Sequence, residues 1–261
     1  MKISKLAAVL MISSAALSGF AQTETAEEQQ STSSDITVED EYLSSMEDLI
    51  VTELAFAPDR DTKLVALQYL EDAVNQGSIS PNMQTALNAL AGEGVLSQTR
   101  ENGRLVNNFP DIRARACELL GMVATEESKN LLVDIVLADN EPMVISAAIR
   151  SLGDIGMNEN DEVVNTIAWA QKRNAVLNPT SSLAHEVLVA YEKLLPTIED
   201  KSPVIQSIAS IATNYRYITP VRTMAQALLK KISTSDSNSS EQQNTQQQEA
   251  AAETETPAEG M

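Results

Sequence analysis

The chain has 261 residues, 37 acidic against 18 basic, for a net charge of −19, with one cysteine and one histidine. That acidic excess argues against nucleic acid or an anionic membrane surface as partner, since both demand a basic footprint. One Cys and one His allow neither an internal disulfide nor a zinc cluster, and three Phe with one Trp leave the core to Ala, Leu, Ile and Val.

In chain order, Met1–Gln22 reads as a targeting segment. Lys2 and Lys5 form a basic start, Leu6–Leu17 a short apolar run, and Gly19-Phe20-Ala21 offers a cut after Ala21. The run is shorter than the ~20 residues that a membrane span needs. Phe20 stands where a lipoprotein box requires Cys, so no lipid anchor is expected. The expectation is a cleaved export signal over 1–21, a periplasmic or secreted product and no transmembrane segment after cleavage. Cleavage takes 18 basic residues to 16 against 37 acidic, a net charge of −21. An acidic, aperiodic linker over 22–36 comes next, and a Gln-, Glu-, Ser- and Ala-rich tail closes the chain over 233–261. Both are expected to be disordered, because neither carries enough apolar surface to offset chain entropy.

Residues 37–232 between them repeat a helical pattern. An Ala precedes a Leu by one turn at Ala66/Leu70, Ala116/Leu120, Ala148/Leu152, Ala184/Leu188 and Ala225/Leu229. The small residue marks where another helix approaches closely, and the large one fills the space beside it. A second helix type precedes each of these, with two adjacent apolar residues followed four later by two more. Ala86-Leu87 with Leu90-Ala91 and Val163-Val164 with Ile167-Ala168 show the pattern, and Leu49-Ile50 with Leu54 is a weaker first copy. The spacing predicts an all-α fold, an α-α superhelix of about five antiparallel pairs: 38–56/60–75, 80–92/109–124, 127–138/142–156, 160–175/180–195 and 201–214/219–232. One pair cannot bury its own apolar face, so neighbours stack, and the terminal pairs should turn a polar side outward, as Glu53 suggests.

The run Ile112-Arg113-Ala114-Arg115-Ala116, Leu119-Leu120-Gly121, then Ala147-Ala148-Ile149-Arg150-Ser151-Leu152-Gly153-Asp154-Ile155-Gly156 resembles HEAT repeats, and especially the short form named after bilin lyases. Glu71 and Lys230 stand where that form has its glycine. The resemblance implies a solenoid that binds other proteins or peptides. Taken literally it would imply a bilin-lyase-like enzyme, but no residues for a chemistry of attachment are visible. A structural spacer of the cell envelope is a third reading.

One connection is too long. From the first apolar residue of one helix to the alanine of the next is 17 residues in the first and third pairs, but 30 from Ala86 to Ala116. The excess lies in 93–108, against a usual helix–helix link of about 2–8 residues. With Arg100, Arg104, Arg113 and Arg115 it gathers the chain's one basic concentration, a candidate contact for a carboxylate-bearing partner. A mobile insertion without a role is the alternative. Lys63, Arg113 and Arg222 each lie three residues before a repeat alanine, where HEAT-like arrays commonly pair a base with an acid of the neighbouring repeat. Cys117 falls among apolar positions, and His185 has no partner arrangement for catalysis, so no catalytic, cofactor or metal residues are assigned. The oxygen-rich stretch Asp154–Glu162 lacks the order of a calcium loop and reads as a polar turn capping the next helix.

Overall fold

The computed structural model describes residues 38–234; the expected export signal, the linker and the tail from 235 on lie outside the described residues. The helices are α1 (Val38–Phe56), α2 (Arg60–Gln76), α3 (Pro81–Gly92), α4 (Pro110–Val123), α5 (Glu126–Ala138), α6 (Pro142–Ile155), α7 (Glu162–Leu177), α8 (Ser181–Leu194) and α9 (Ser202–Thr213). A tenth, α10, covers 219–234. Strand among the described residues is confined to two-residue strands, β1 (Arg100–Glu101) and β2 (Arg104–Leu105).

Local chemistry sets the helix ends. Asp59 caps α2 by accepting from the Asp61 and Thr62 amides, Ser80 caps α3 through the Met83 amide, and Thr125 caps α5 through that of Ser128. Pro81, Pro110 and Pro142 occupy first-turn positions where no N–H is missed. The α6 helix ends at Gly156 in a left-handed conformation, φ 74°.

Odd-numbered helices form one layer and even-numbered helices the other. Each layer packs in sequence order, α1 on α3 on α5 on α7 on α9, and α2 on α4 on α6 on α8. The shared core runs through all five pairs. Ala66, Ala116, Ala148, Ala184 and Ala225 are fully buried, as are Leu70, Leu120, Leu152 and Leu188. Leu229 is only half-buried and Leu228 takes the more covered place, since no described helix stacks beyond α10.

Two glycines mark places where neighbouring helices approach closely. A Cβ on Gly121 would lie 2.6 Å from the Ser151 Cβ, and one on Gly153 would lie 2.8 Å from the Ala190 Cα. These two positions let α4 abut α6, and α6 abut α8. The Ser151 hydroxyl uses the proximity to donate to the Cys117 carbonyl across the interface, 2.8 Å.

The first pair departs from the expected polar outer side. Leu49 and Ile50 point outward, while Val51 and Ala55 face the core. In α3, by contrast, both doublets, Ala86-Leu87 and Leu90-Ala91, are buried. A second apolar stripe runs along the free side of α1.

Candidate functional site

The long connection is an ordered excursion whose two ends meet. Past Glu93, Gly94 takes φ 74°, and its amide donates to the Ser97 carbonyl at 2.8 Å. Only glycine suits this position twice over: the left-handed backbone favours it, and a Cβ would sit 2.3 Å from the Asn107 carbonyl oxygen. The buried Asn107 side chain then ties the excursion together. Its amide nitrogen donates to the Ser97 carbonyl and its oxygen accepts from the Thr99 amide, both at 2.9 Å. Beyond that knot, β1 and β2 pair antiparallel as a hairpin. Asn102 and Gly103 turn the chain with φ 50° and 82°, the two positive values that tight hairpin turns demand. This Asn-Gly pair was the available sequence signal for a hairpin, and Asn107 had none.

Two buried cations hold the base. Lys63 of α2 donates to the Ala55 carbonyl at 2.8 Å and pairs with the Glu93 carboxylate at 3.0 Å. Arg113 of α4 is 1 % exposed; its Nε meets Asp139 at 2.7 Å, while Nη1 reaches both the Glu93 carbonyl (3.2 Å) and the Asn108 side chain (2.9 Å). Both ends of the excursion therefore converge on one nitrogen. Lys63 and Arg113 hold the repeat position expected to pair with a neighbouring repeat, and both pair with the next one, through the residue that terminates its first helix. Among the described residues the Arg222 guanidinium bonds the Thr219 hydroxyl and makes no ion pair.

The expected four-arginine cluster does not exist as one surface. Arg113 is enclosed in its ion pair, because a guanidinium inside the array must be satisfied there. Arg115 instead belongs to a ladder on the exposed face of the even-numbered helices. It pairs with Glu71 of α2 and with Glu118, which also lies 3.6 Å from Arg150 of α6. Arg150 then clasps Glu186 of α8 with two 2.9 Å bonds. The Arg150 guanidinium holds the Glu186 carboxyl below the usual carboxylate range. Glu71, standing where the central repeats have glycine, thus replaces a close contact with a charge pair.

Arg100 and Arg104 alone remain at the hairpin. Arg100 bonds Gln98 (3.1 Å) and the Gly103 carbonyl (3.4 Å), leaving its charge without a carboxylate among the described residues. Arg104 is exposed and makes no ion pair among the described residues. Leu96 and Val106 are exposed beside them. Between the hairpin and the α5–α6 turn lies a crevice of about 240 Å³, lined among others by Val95, Gln98, Leu105, Asn140 and Glu141. It is smaller than the ~300–1,000 Å³ of ordinary small-molecule sites, and suits an inserted side chain better than a cofactor.

Elsewhere, the Cys117 thiol is fully enclosed, and burial pushes its ionisation far above the ordinary range, while His185 is half-exposed on α8 beside Glu186. The oxygen-rich turn is internally satisfied. Asn158 accepts from the Val164 amide near the start of α7, and Asp161 accepts from the Glu199 and Asp200 amides of the next repeat. Those backbone bonds, Asp200's first, lower the Asp161 carboxyl below its ordinary value. Among the described residues no group of three or more His, Cys, Asp or Glu side chains is placed to hold a metal, and no helix is long and apolar enough to cross a membrane.

In comparison with known proteins, the family model for HEAT repeats fits residues 104–176, from the hairpin's second strand into α7. No curated protein and no solved structure matches the chain. With α4 to α7 matched, and with helices stacked in sequence order on both sides of that stretch, the chain carries HEAT repeats over residues 104–176 within a longer all-helical stack.

Proposed function

We propose that this protein is a non-enzymatic scaffold of the bacterial cell envelope that captures a protein or peptide through its clasped hairpin. The observation that carries the reading is the contrast between base and tip. The base is fixed by Lys63, Arg113 and Asn107, whereas the tip presents two arginines without carboxylate partners among the described residues, in a chain of net charge −19. Arginine forks match carboxylates two bonds at a time, so the complementary partner is an acidic segment with an apolar residue to seat beside Leu105. Stacked repeats commonly offer extended surfaces to such partners. The envelope location rests on the basic-then-apolar pattern of the first 21 residues.

A photo-crosslinking residue placed at position 104 tests the contact in envelope extracts. The expected result is a discrete adduct that disappears when Arg100→Glu and Arg104→Glu are introduced, with circular dichroism and melting unchanged. An identical adduct from the double variant would overturn the reading. A mature chain beginning at Gln22 in the periplasmic fraction is the expected result for location, and an uncleaved cytoplasmic chain would contradict it.

A further inference from the structure

The free side of α1 is a surface that the hairpin reading does not use. Tyr42, Leu43, Met46, Leu49 and Ile50 line it at intervals of one helical turn, Phe56 continues it two turns beyond Leu49, and each is 40–64 % exposed. This is the face on which a preceding repeat would stack, and a solenoid end normally closes with polar residues there. Six large side chains at about 100 Å² each come to roughly 600 Å² on one partner, near the ~800 Å² a side of a standard specific interface.

Charge says what fits on it. The α1 sequence contains six acidic residues and no basic one. At the opposite end of the array, α9 carries no charge, and 219–234 carries Arg222, Lys230 and Lys231 with no acid. Those two helices leave a groove on their outer side lined by Ile205, Leu229 and Lys230. Lys231 is already paired with Glu192 of α8 and Arg222 is half-buried, so Lys230 is the exposed cation beside the groove: one end of the array is apolar and acidic, the other apolar with a basic rim. Both are also geometrically related, because every repeat presents to its successor the kind of face it receives from its predecessor.

We infer that the α1 stripe docks into the α9–α10 groove of a second copy of this chain, so that the helical stack continues head to tail across molecules. Repulsion between two acidic chains does not prevent this. Exposed charges farther apart than about 8 Å are largely screened at physiological ionic strength, whereas the α1 carboxylates and Lys230 meet at contact. A contact of this kind is heterologous, so it propagates rather than closing as a symmetric dimer.

Sedimentation velocity of the full chain tests this over roughly 1–100 µM, the range in which an interface near the lower size limit dissociates. The expected result is a mass that rises with concentration beyond the dimer, and association roughly fivefold weaker in Lys230→Glu. Leu49→Glu and Ile205→Glu, both at exposed positions that leave melting unchanged, each give monomers. Mixed in equal amounts, they form one dimer and nothing larger, since each supplies the end that the other has lost. A wild-type chain that stays monomeric throughout would overturn the inference and assign the stripe to another occupant. So would a mixture that stays monomeric, or an Ile205→Glu protein that still dimerises, because α1 would then pair with α1.

Discussion

Two successive junctions of the array use one position of the repeat in different ways. At the first, Lys63 reaches Glu93, which terminates α3, and the chain then runs through the hairpin before α4 begins. At the second, Arg113 reaches Asp139, which terminates α5, and α6 begins almost at once. The clasp between repeats is thus complete before the excursion starts, and it is the same whether a hairpin or a short turn leads into the next helix. The two clasps also differ in how fully they are satisfied. Asp139 uses both oxygens, on Arg113 and on the Glu141 amide, while one Glu93 oxygen is buried without a partner among the described residues. The hairpin is therefore an addition to a finished repeat rather than a device for joining two helices.

The largest expected effect breaks the better clasp. Asp139→Ala strands a guanidinium inside the array, and chemical denaturation should show a loss of about 3–5 kcal/mol. Glu93→Ala should cost less, about 1–3 kcal/mol, because Lys63 keeps the Ala55 carbonyl. Equal losses would mean that the two junctions are not the graded pair described.

Next in size is Gly94→Ala, with a loss of about 1–3 kcal/mol by the same measurement, from a strained backbone and a Cβ inside contact distance of the Asn107 carbonyl. Gly103→Ala, in the hairpin turn, meets nothing within 4 Å of the added Cβ and should cost only the conformational part, about 1 kcal/mol. A smaller effect still is expected on excising residues 95–106 with a two-residue Gly link. Glu93 and Asn108 already share one nitrogen of Arg113, so the ends need not move, and stability should shift by less than about 1 kcal/mol while partner capture is lost. A large loss of stability would return the hairpin to a structural role.

The smallest effect concerns the ladder. The depressed Glu186 carboxyl contributes stability that is present above the ordinary glutamate range and is lost as pH falls through its folded-state value. A carboxyl-resolved NMR titration should place its midpoint below that of an exposed glutamate, and Arg150→Ala should return it upward with little change in melting.

The helix pairs were legible because their signal is repeated. Alanine–leucine steps, Pro110 and Pro142 at helix starts and the basic residues at Lys63 and Arg113 each recur, and repetition averages out local noise. The hairpin was legible only in part, since Asn102-Gly103 sits among strands too short to show alternation. Arg113 and Arg115 misled because proximity in sequence to Arg104 says nothing about direction. On a helix two residues apart they point to different faces, one into the clasp and one into the ladder. The stripe on α1 was hidden for another reason. Leu49-Ile50 satisfies the repeat's apolar pattern, and only the packing of Val51 and Ala55 reveals which of its two apolar faces is used.

Amide hydrogen exchange at Gly94, Thr99 and Val106 tests most directly whether the excursion is built or slack. Each of these amides donates a hydrogen bond inside the excursion, two to backbone carbonyls and one to the Asn107 side chain. Exchange at these three is expected to be slowed by roughly 10²-fold or more relative to unstructured chain, with the exposed turn at Asn102–Gly103 exchanging freely. Exchange at unstructured rates across the whole of 94–106 would contradict a built excursion.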